Sequence, residues 1–202
     1  MVAIINYGLG NINAFCNIYR KLNIDFVVAD SEEGLIDATK LILPGVGSFD
    51  RAMDLLNRSR MRDTIDELVL KDKVPIMGVC VGLQILGLNS EEGTEKGLGY
   101  IEAEVKKISS SDPDLVLPHM GWNNIIVHKN NNILHGLDHE SKFYFLHSYF
   151  VRCNDENISM ATSNYFLDFT SIVNFENIFG VQFHPEKSHD DGTQLLKNFA
   201  EL

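Results

Sequence analysis

Cysteine, long apolar runs and clustered positive charge are all scarce in this sequence. Its three cysteines, Cys16, Cys80 and Cys153, are an odd number without close spacing. That excludes a disulfide framework or zinc knuckle and suits a reducing compartment. No stretch of about 18 apolar residues is available to span a bilayer. The N-terminal stretch 1–8 has no basic flank, and its apolar run is too short for a secretory signal. Seventeen Lys and Arg face twenty-eight Asp and Glu, a net charge of −11, with no basic cluster. Nucleic acid and anionic membrane surfaces are therefore poor candidate partners. What remains is an ordinary globular composition, 45% hydrophobic and 22% charged over 202 residues. It predicts one domain, 1–202, with enough chain to bury a core unaided, in the cytoplasm.

The first 90 residues alternate between two periodicities. Val2–Asn6, Phe26–Ala29, Leu41–Leu43 and Val74–Val79 read as short buried strands. Ile12 to Leu22 and Asp50 to Leu70 carry helical spacing, as does the run after Cys80 through Leu83, Ile85 and Leu86. Strands alternating with helices predict a parallel sheet covered on both faces. Beyond Gly99 the pattern becomes strand after strand: 101–108, 124–128, 143–152, 158–162, 170–175 and 179–183, separated by polar turns. The fold class expected is α/β, a mostly parallel, flavodoxin-like central sheet with an added antiparallel or mixed sheet. A last helix, 192–202, presents Leu195, Leu196 and Phe199 on one face.

Gly78-Val79-Cys80-Val81-Gly82 sets a thiol between two glycines where a strand hands over to a helix. In a turn that sharp, neighbouring side chains crowd the nucleophile, and the glycines relieve the crowding. The N–H of Val81, free at the helix start, can face a developing oxyanion. The alternative is a buried core cysteine, the fate assigned to Cys16 and Cys153. A thiol nucleophile needs a base, and His184 is the best of seven histidines. It ends the apolar run Val181-Gln182-Phe183, and Glu186 two residues on could orient its ring. His119 and His147 are harder to dismiss as surface residues, but neither has metal-ligand spacing, and no metal is expected. Gly8-Leu9-Gly10 followed by Asp30 imitates a dinucleotide fingerprint but carries Asn13 where the third glycine belongs. No cofactor is expected. Gly45-Val46-Gly47 is either a tight turn or a mobile backbone N–H near Cys80.

Together these segments resemble class I glutamine amidotransferases, the type with a Cys-His-Glu triad. The resemblance extends to one branch, the glutaminase subunits of imidazole glycerol phosphate synthase. It is carried by Asn6-Tyr7-Gly8-Leu9-Gly10-Asn11, Leu43-Pro44-Gly45-Val46-Gly47-Ser48-Phe49 and the elbow Pro75 to Gln84. Pro118-His119-Met120-Gly121-Trp122-Asn123, Phe143 to Tyr149 and Gly180 to Ser188 complete it. The resemblance implies that Cys80 attacks the side-chain amide of glutamine while His184, held by Glu186, moves the protons. It implies an oxyanion hole from Val81 and the Gly45–Val46 segment, and glutamine contacts from Gly47, Gln84, Glu92, Ser148 and Tyr149.

The resemblance implies that the glutaminase fold takes up the 202 residues, so no domain to consume ammonia is expected among them. The resemblance implies a partner in trans, a (β/α)₈-barrel synthase subunit in a heterodimer, making imidazole glycerol phosphate and an aminoimidazole carboxamide ribotide in histidine biosynthesis. Trp122, Tyr144 and Lys187 match positions near that interface, although Trp122 could also be core and Lys187 a solvated charge. Val81 and Leu83, where the branch usually has Leu and Met, and the acidic stretch 188–192 leave open a paralogue feeding a sugar amidotransferase. A catalytically idle regulatory subunit is the non-enzymatic alternative. An α/β-hydrolase would need its acid between nucleophile and histidine in chain order, whereas Glu186 follows His184.

Overall fold

A computed structural model describes residues 1–202. The N-terminal half builds β1 (Val2–Ile5), α1 (Ile12–Lys21), β2 (Phe26–Ala29), β3 (Lys40–Gly45), α2 (Phe49–Arg58), α3 (Arg62–Asp66), β4 (Ile76–Cys80) and α4 (Val81–Ile85). After it come the short β5 (Asn89–Ser90), then β6 (Ala103–Lys107), β7 (His119–Asn124) and β8 (Ile126–Val127). The chain closes with β9 (Lys142–His147), β10 (Tyr149–Cys153), β11 (Ser159–Asn164), β12 (Asp168–Phe175), β13 (Ile178–Val181) and α5 (His189–Ala200).

The main sheet has the order β2-β1-β3-β4-β13-β12-β11-β8. Its first five strands run parallel, and antiparallel pairing takes over from β13 to β12 onward. Every residue of β1 and β4 is buried, the signature of strands covered on both faces. The parallel order 2-1-3-4 followed by a fifth strand is the flavodoxin-like one, in which ligands bind outside the carboxyl ends of the strands. The ends of β3 and β4 meet there, with Gly45 paired to Cys80. Two small sheets, β10-β6-β5 and β7-β9, complete the expected addition. No helix is long and apolar enough to cross a membrane.

Three expectations about elements need correction. The helix expected over 50–70 breaks at Ser59–Met61, where Arg60 takes φ +64°. The Ser59 hydroxyl donates to the Leu56 carbonyl and accepts the Met61 N–H, which offers the backbone a local alternative to the helix. The strand expected over 143–152 is two strands, and Ser148 is the hinge between them. β9 pairs with β7 and β10 with β6, in different sheets. The final helix starts at His189, three residues earlier than expected.

Candidate active site

Cys80 ends β4 and α4 begins at Val81, so the chain turns from strand to helix at the sulfur-bearing residue itself. The backbone of Cys80 sits at φ +55°, ψ −111°, a strained conformation for a residue with a Cβ, costing on the order of 1–3 kcal/mol. Gly78 and Gly82 make the turn possible, because a Cβ on either would overlap backbone of the neighbouring segment. The thiol is nearly covered, with 3% of the residue exposed, yet it lines a cavity of about 290 Å³. That cavity lies near the lower end of the size range of small-ligand sites.

His184 reaches the same cavity from the end of β13. Its N–H donates to the Tyr144 carbonyl at 2.9 Å. The Ser188 hydroxyl donates to the His184 carbonyl at 2.6 Å and accepts the Tyr144 N–H at 2.9 Å, so the histidine is pinned against β9. The ring Nδ1 lies 2.9 Å from Glu186 Oε1, and both side chains are buried. The segment is not extended, as the two-residue spacing suggested. Residues Pro185–Lys187 form a 3₁₀ turn with proline in its first turn, and this tight turn folds Glu186 back onto the imidazole.

The matching family model, glutamine amidotransferase class-I, spans residues 3–202. The chain belongs to the class I glutamine amidotransferases. It is 48% identical over 204 residues to the imidazole glycerol phosphate synthase subunit HisH of Bdellovibrio bacteriovorus, covering all of both chains. The subunit of the same name from Leptospira interrogans is 47% identical, again with both chains fully covered. Among solved structures, a glutamine amidotransferase superposes with a TM-score of 0.77 at 20% identity, covering 100% of this chain and 99% of that one. At that identity the likeness speaks for the fold.

The elements of this amidotransferase bring most of the expected residues to one place. Val46, Gly47, Cys80, Val81, Gln84, Glu92, Ser148, Tyr149, His184 and Lys187 all line the cavity. Gly45 lies just outside it, opposite Cys80 in the β3–β4 ladder, and Glu186 lies behind His184. Glu92 also has a structural contact: its Oε2 accepts the Phe49 N–H at 2.8 Å, at the start of α2, where backbone donors lack helical partners. Trp122 and Tyr144 do not line the cavity. They sit beside it, Trp122 half exposed and edge-on to Tyr144 at 6.0 Å. The Lys187 ammonium lies 5.7 Å from the centre of the Tyr144 ring. Trp122 is thus a surface residue and not core, and its other side stacks on His189.

Burial works against a charge on His184. The neighbouring Cys80 sulfur and the Glu186 carboxylate, the latter 2.9 Å from Nδ1, outweigh it and push the imidazole from its ordinary 6.5 up to about 10. The ring therefore holds its proton at neutral pH, between sulfur and carboxylate. A raised folded-state pKa stabilises the native state fully below about pH 6.5, and that contribution disappears as pH rises through about 10. Glutamine hydrolysis by the enzyme should accordingly show no alkaline descent between pH 7 and 9 and should fall as pH approaches 10. A descending limb centred near pH 7 in kcat/KM would contradict this assignment.

Several groups around the site were not singled out from sequence. Tyr7, from the turn after β1, donates its hydroxyl to the Pro44 carbonyl at 2.8 Å. Burial, with the charge of Cys80 behind it, holds that phenol far above its ordinary value, so it is a permanent donor one peptide ahead of Gly45. Gln182 is fully buried beside Cys80. Its signal was a lone polar residue in an apolar strand, two positions before His184. His119 and His147, left without a role by their spacing, face each other across the β7–β9 ladder. Nδ1 of His119 lies 3.0 Å from Nε2 of His147.

Proposed function

We propose that this chain is a glutaminase subunit, a single domain that hydrolyses glutamine to glutamate and ammonia and passes the ammonia to a synthase subunit. One observation carries the reading. A cysteine held on a strained strand-to-helix turn shares a small cavity with a buried histidine–glutamate pair. In this reading the Cys80 sulfur attacks the side-chain carbon of glutamine, and the carbonyl oxygen becomes an oxyanion. The N–H of Val81 and a backbone N–H of the Gly45–Val46 segment receive that charge. Protonated His184 delivers its proton to the departing ammonia, and the neutral ring then takes a proton from the water that cleaves the thioester. Glu186 stabilises the imidazolium and keeps Nδ1 protonated, so that Nε2 does the transfer. Gly47, Gln84, Glu92, Ser148 and Tyr149 hold the substrate around the cavity.

The acceptor pathway rests on likeness along the full length. The relatives from Bdellovibrio and Leptospira are both named as imidazole glycerol phosphate synthase subunits. We assign this chain to the same step of histidine biosynthesis, in a heterodimer with a cyclase barrel (HisF-like) in the cytoplasm. Lys187, Tyr144 and Trp122 form a contiguous rim beside the cavity mouth and are placed at that interface. Met120 and Trp122 lie two apart on β7, share one face and are both exposed.

The test is reconstitution with the cyclase subunit, reading glutamate release and imidazole glycerol phosphate together. If the Gly45–Val46 N–H is aligned only in the complex, glutamate release should rise by about a hundred- to a thousandfold on adding the partner, the worth of one oxyanion donor. Full activity of the chain alone would remove the switch at Gly45–Val46. No product with the cyclase, but activity with a sugar amidotransferase, would move the chain to the other acceptor. Failure of a glutamine-analogue electrophile to label Cys80 would leave an idle subunit.

A further inference from the structure

We propose that Gln182 is a positioning residue for the Cys80 sulfur, its amide aimed through Gln84 by the backbone carbonyl of Tyr149, on which a buried chain of hydrogen bonds from β7 also ends. The inference rests on Cys80 being the nucleophile. Nε2 of Gln182 donates to Cys80 Sγ at 3.8 Å, and its Oε1 accepts from Gln84 Nε2 at 3.1 Å. The same Gln84 amide donates to the Tyr149 carbonyl at 3.0 Å. That carbonyl also accepts from Nδ1 of His147 at 2.8 Å.

Two backbone carbonyls determine every proton in this chain, because a carbonyl can only accept. Nδ1 of His147 must carry its proton toward Tyr149, so its Nε2 is a lone pair. That lone pair accepts from Nδ1–H of His119 at 3.0 Å. Nε2 of His119 is then an acceptor in turn, 3.4 Å from the amide nitrogen of Asn123. The Asn123 amide is oriented by a second carbonyl, that of Asn164, to which it donates at 2.8 Å. Gln84 likewise cannot turn over without placing its oxygen against the Tyr149 carbonyl. With Gln84 so fixed, a reversed Gln182 would set donor against donor. The only arrangement that satisfies all of these groups points an N–H of Gln182 at the sulfur.

The histidines behave as this scheme requires. Burial lowers His119 to about 4. His147 falls to about 3, through burial first and then the charges of His119 and His184, against the opposing bond to Tyr149. Both rings are neutral and keep one donor and one acceptor at working pH. Gln84, Gln182, His119 and His147 are all buried, where a half-satisfied polar network would be costly. The far end of the chain lies on β7, whose opposite face carries Trp122 to the surface.

A donor aimed at the sulfur stabilises negative charge on it before attack, and it touches no part of glutamine in this arrangement. Gln182→Glu keeps the shape and still accepts from Gln84, but it turns an acceptor toward the sulfur. In the complex with the synthase subunit, it should lower kcat for glutamine by roughly ten- to a hundredfold, the worth of a hydrogen bond to a charged group. KM should stay near wild type, and Cys80 should alkylate correspondingly more slowly with iodoacetamide. Synthesis from added ammonia should be unchanged. Gln182→Met removes the donor without adding charge, leaves Gln84 its bond to Tyr149, and decides the matter if Gln182→Glu does not fold. A folded variant with wild-type kcat and wild-type alkylation of Cys80 would overturn the inference alone. A wild-type protein that turns over glutamine while Cys80 stays unlabelled would overturn the active-site reading, and the inference with it.

Discussion

Cys80→Ala should reduce glutamine-dependent turnover by on the order of 10⁴-fold or more, because the covalent route disappears with the sulfur. Synthesis from added ammonia, in the complex with the synthase subunit, should persist near the wild-type rate, since that reaction never visits this cavity. The split is informative because the folded state has little reason to suffer. The residue is buried but small, and its removal leaves a void of about one sulfur atom, a loss of roughly 1 kcal/mol. The strained backbone at φ +55° is retained, because alanine has the same Cβ. Glutamate release and ammonia-dependent synthesis measured on one preparation give the answer. Loss of both would make Cys80 a structural residue of the β4–α4 junction, and loss of neither would remove it from the chemistry.

The strand-to-helix turn at Cys80 was legible in the sequence because everything that builds it is local. The strand before it, the helix after it and the two glycines lie within a few residues, and the structure turns where they say it should. His184 and Glu186 were legible for the same reason, although the 3₁₀ turn that joins them was not. Two-residue spacing predicts a common face only for an extended chain, and Pro185 starts a turn instead.

The histidine pair marks where sequence reading stops. His119 and His147 meet because β7 and β9 pair in a register that sets them directly opposite. Such a register depends on packing between segments far apart in the chain. Ser148, between two strands of good β pattern, gave no sign that the chain leaves one sheet for another there. The contact of Glu92 with the start of α2 links residues 43 apart, and family resemblance could place Glu92 at the substrate without revealing it. Local chemistry was readable, then, and the second layer that aims it was not.

That second layer includes the backbone itself, and Gly82→Ala should expose it with a large stability loss from a single added methyl. A Cβ at Gly82 would overlap the carbonyl oxygen of Leu43. Leu43 cannot withdraw, because it lies within β3 opposite Gly78 in the parallel ladder. Gly45 and Gly78 present the reciprocal surfaces: a Cβ on Gly45 would overlap the Gly82 nitrogen, and one on Gly78 the Gly82 carbonyl. Strand β3, strand β4 and helix α4 thus touch backbone to backbone at the point where the Gly45–Val46 segment, the start of α4 and the sulfur converge. Overpacking of rigid atoms costs about 3 kcal/mol or more, which for a chain of this size lowers Tm by roughly 6–12 °C. The separation forced between β3 and α4 should also depress glutamine turnover in whatever fraction folds. Gly47→Ala is the control that separates space from backbone conformation. Its Cβ would meet nothing within 4 Å, and only its φ of +96° resists substitution, a cost nearer 1–2 kcal/mol. Thermal melts of the two variants should therefore rank Gly82→Ala well below Gly47→Ala. Equal or reversed melting points would mean that α4 moves off β3 easily, and that the elbow is not held in place by close packing of its backbone.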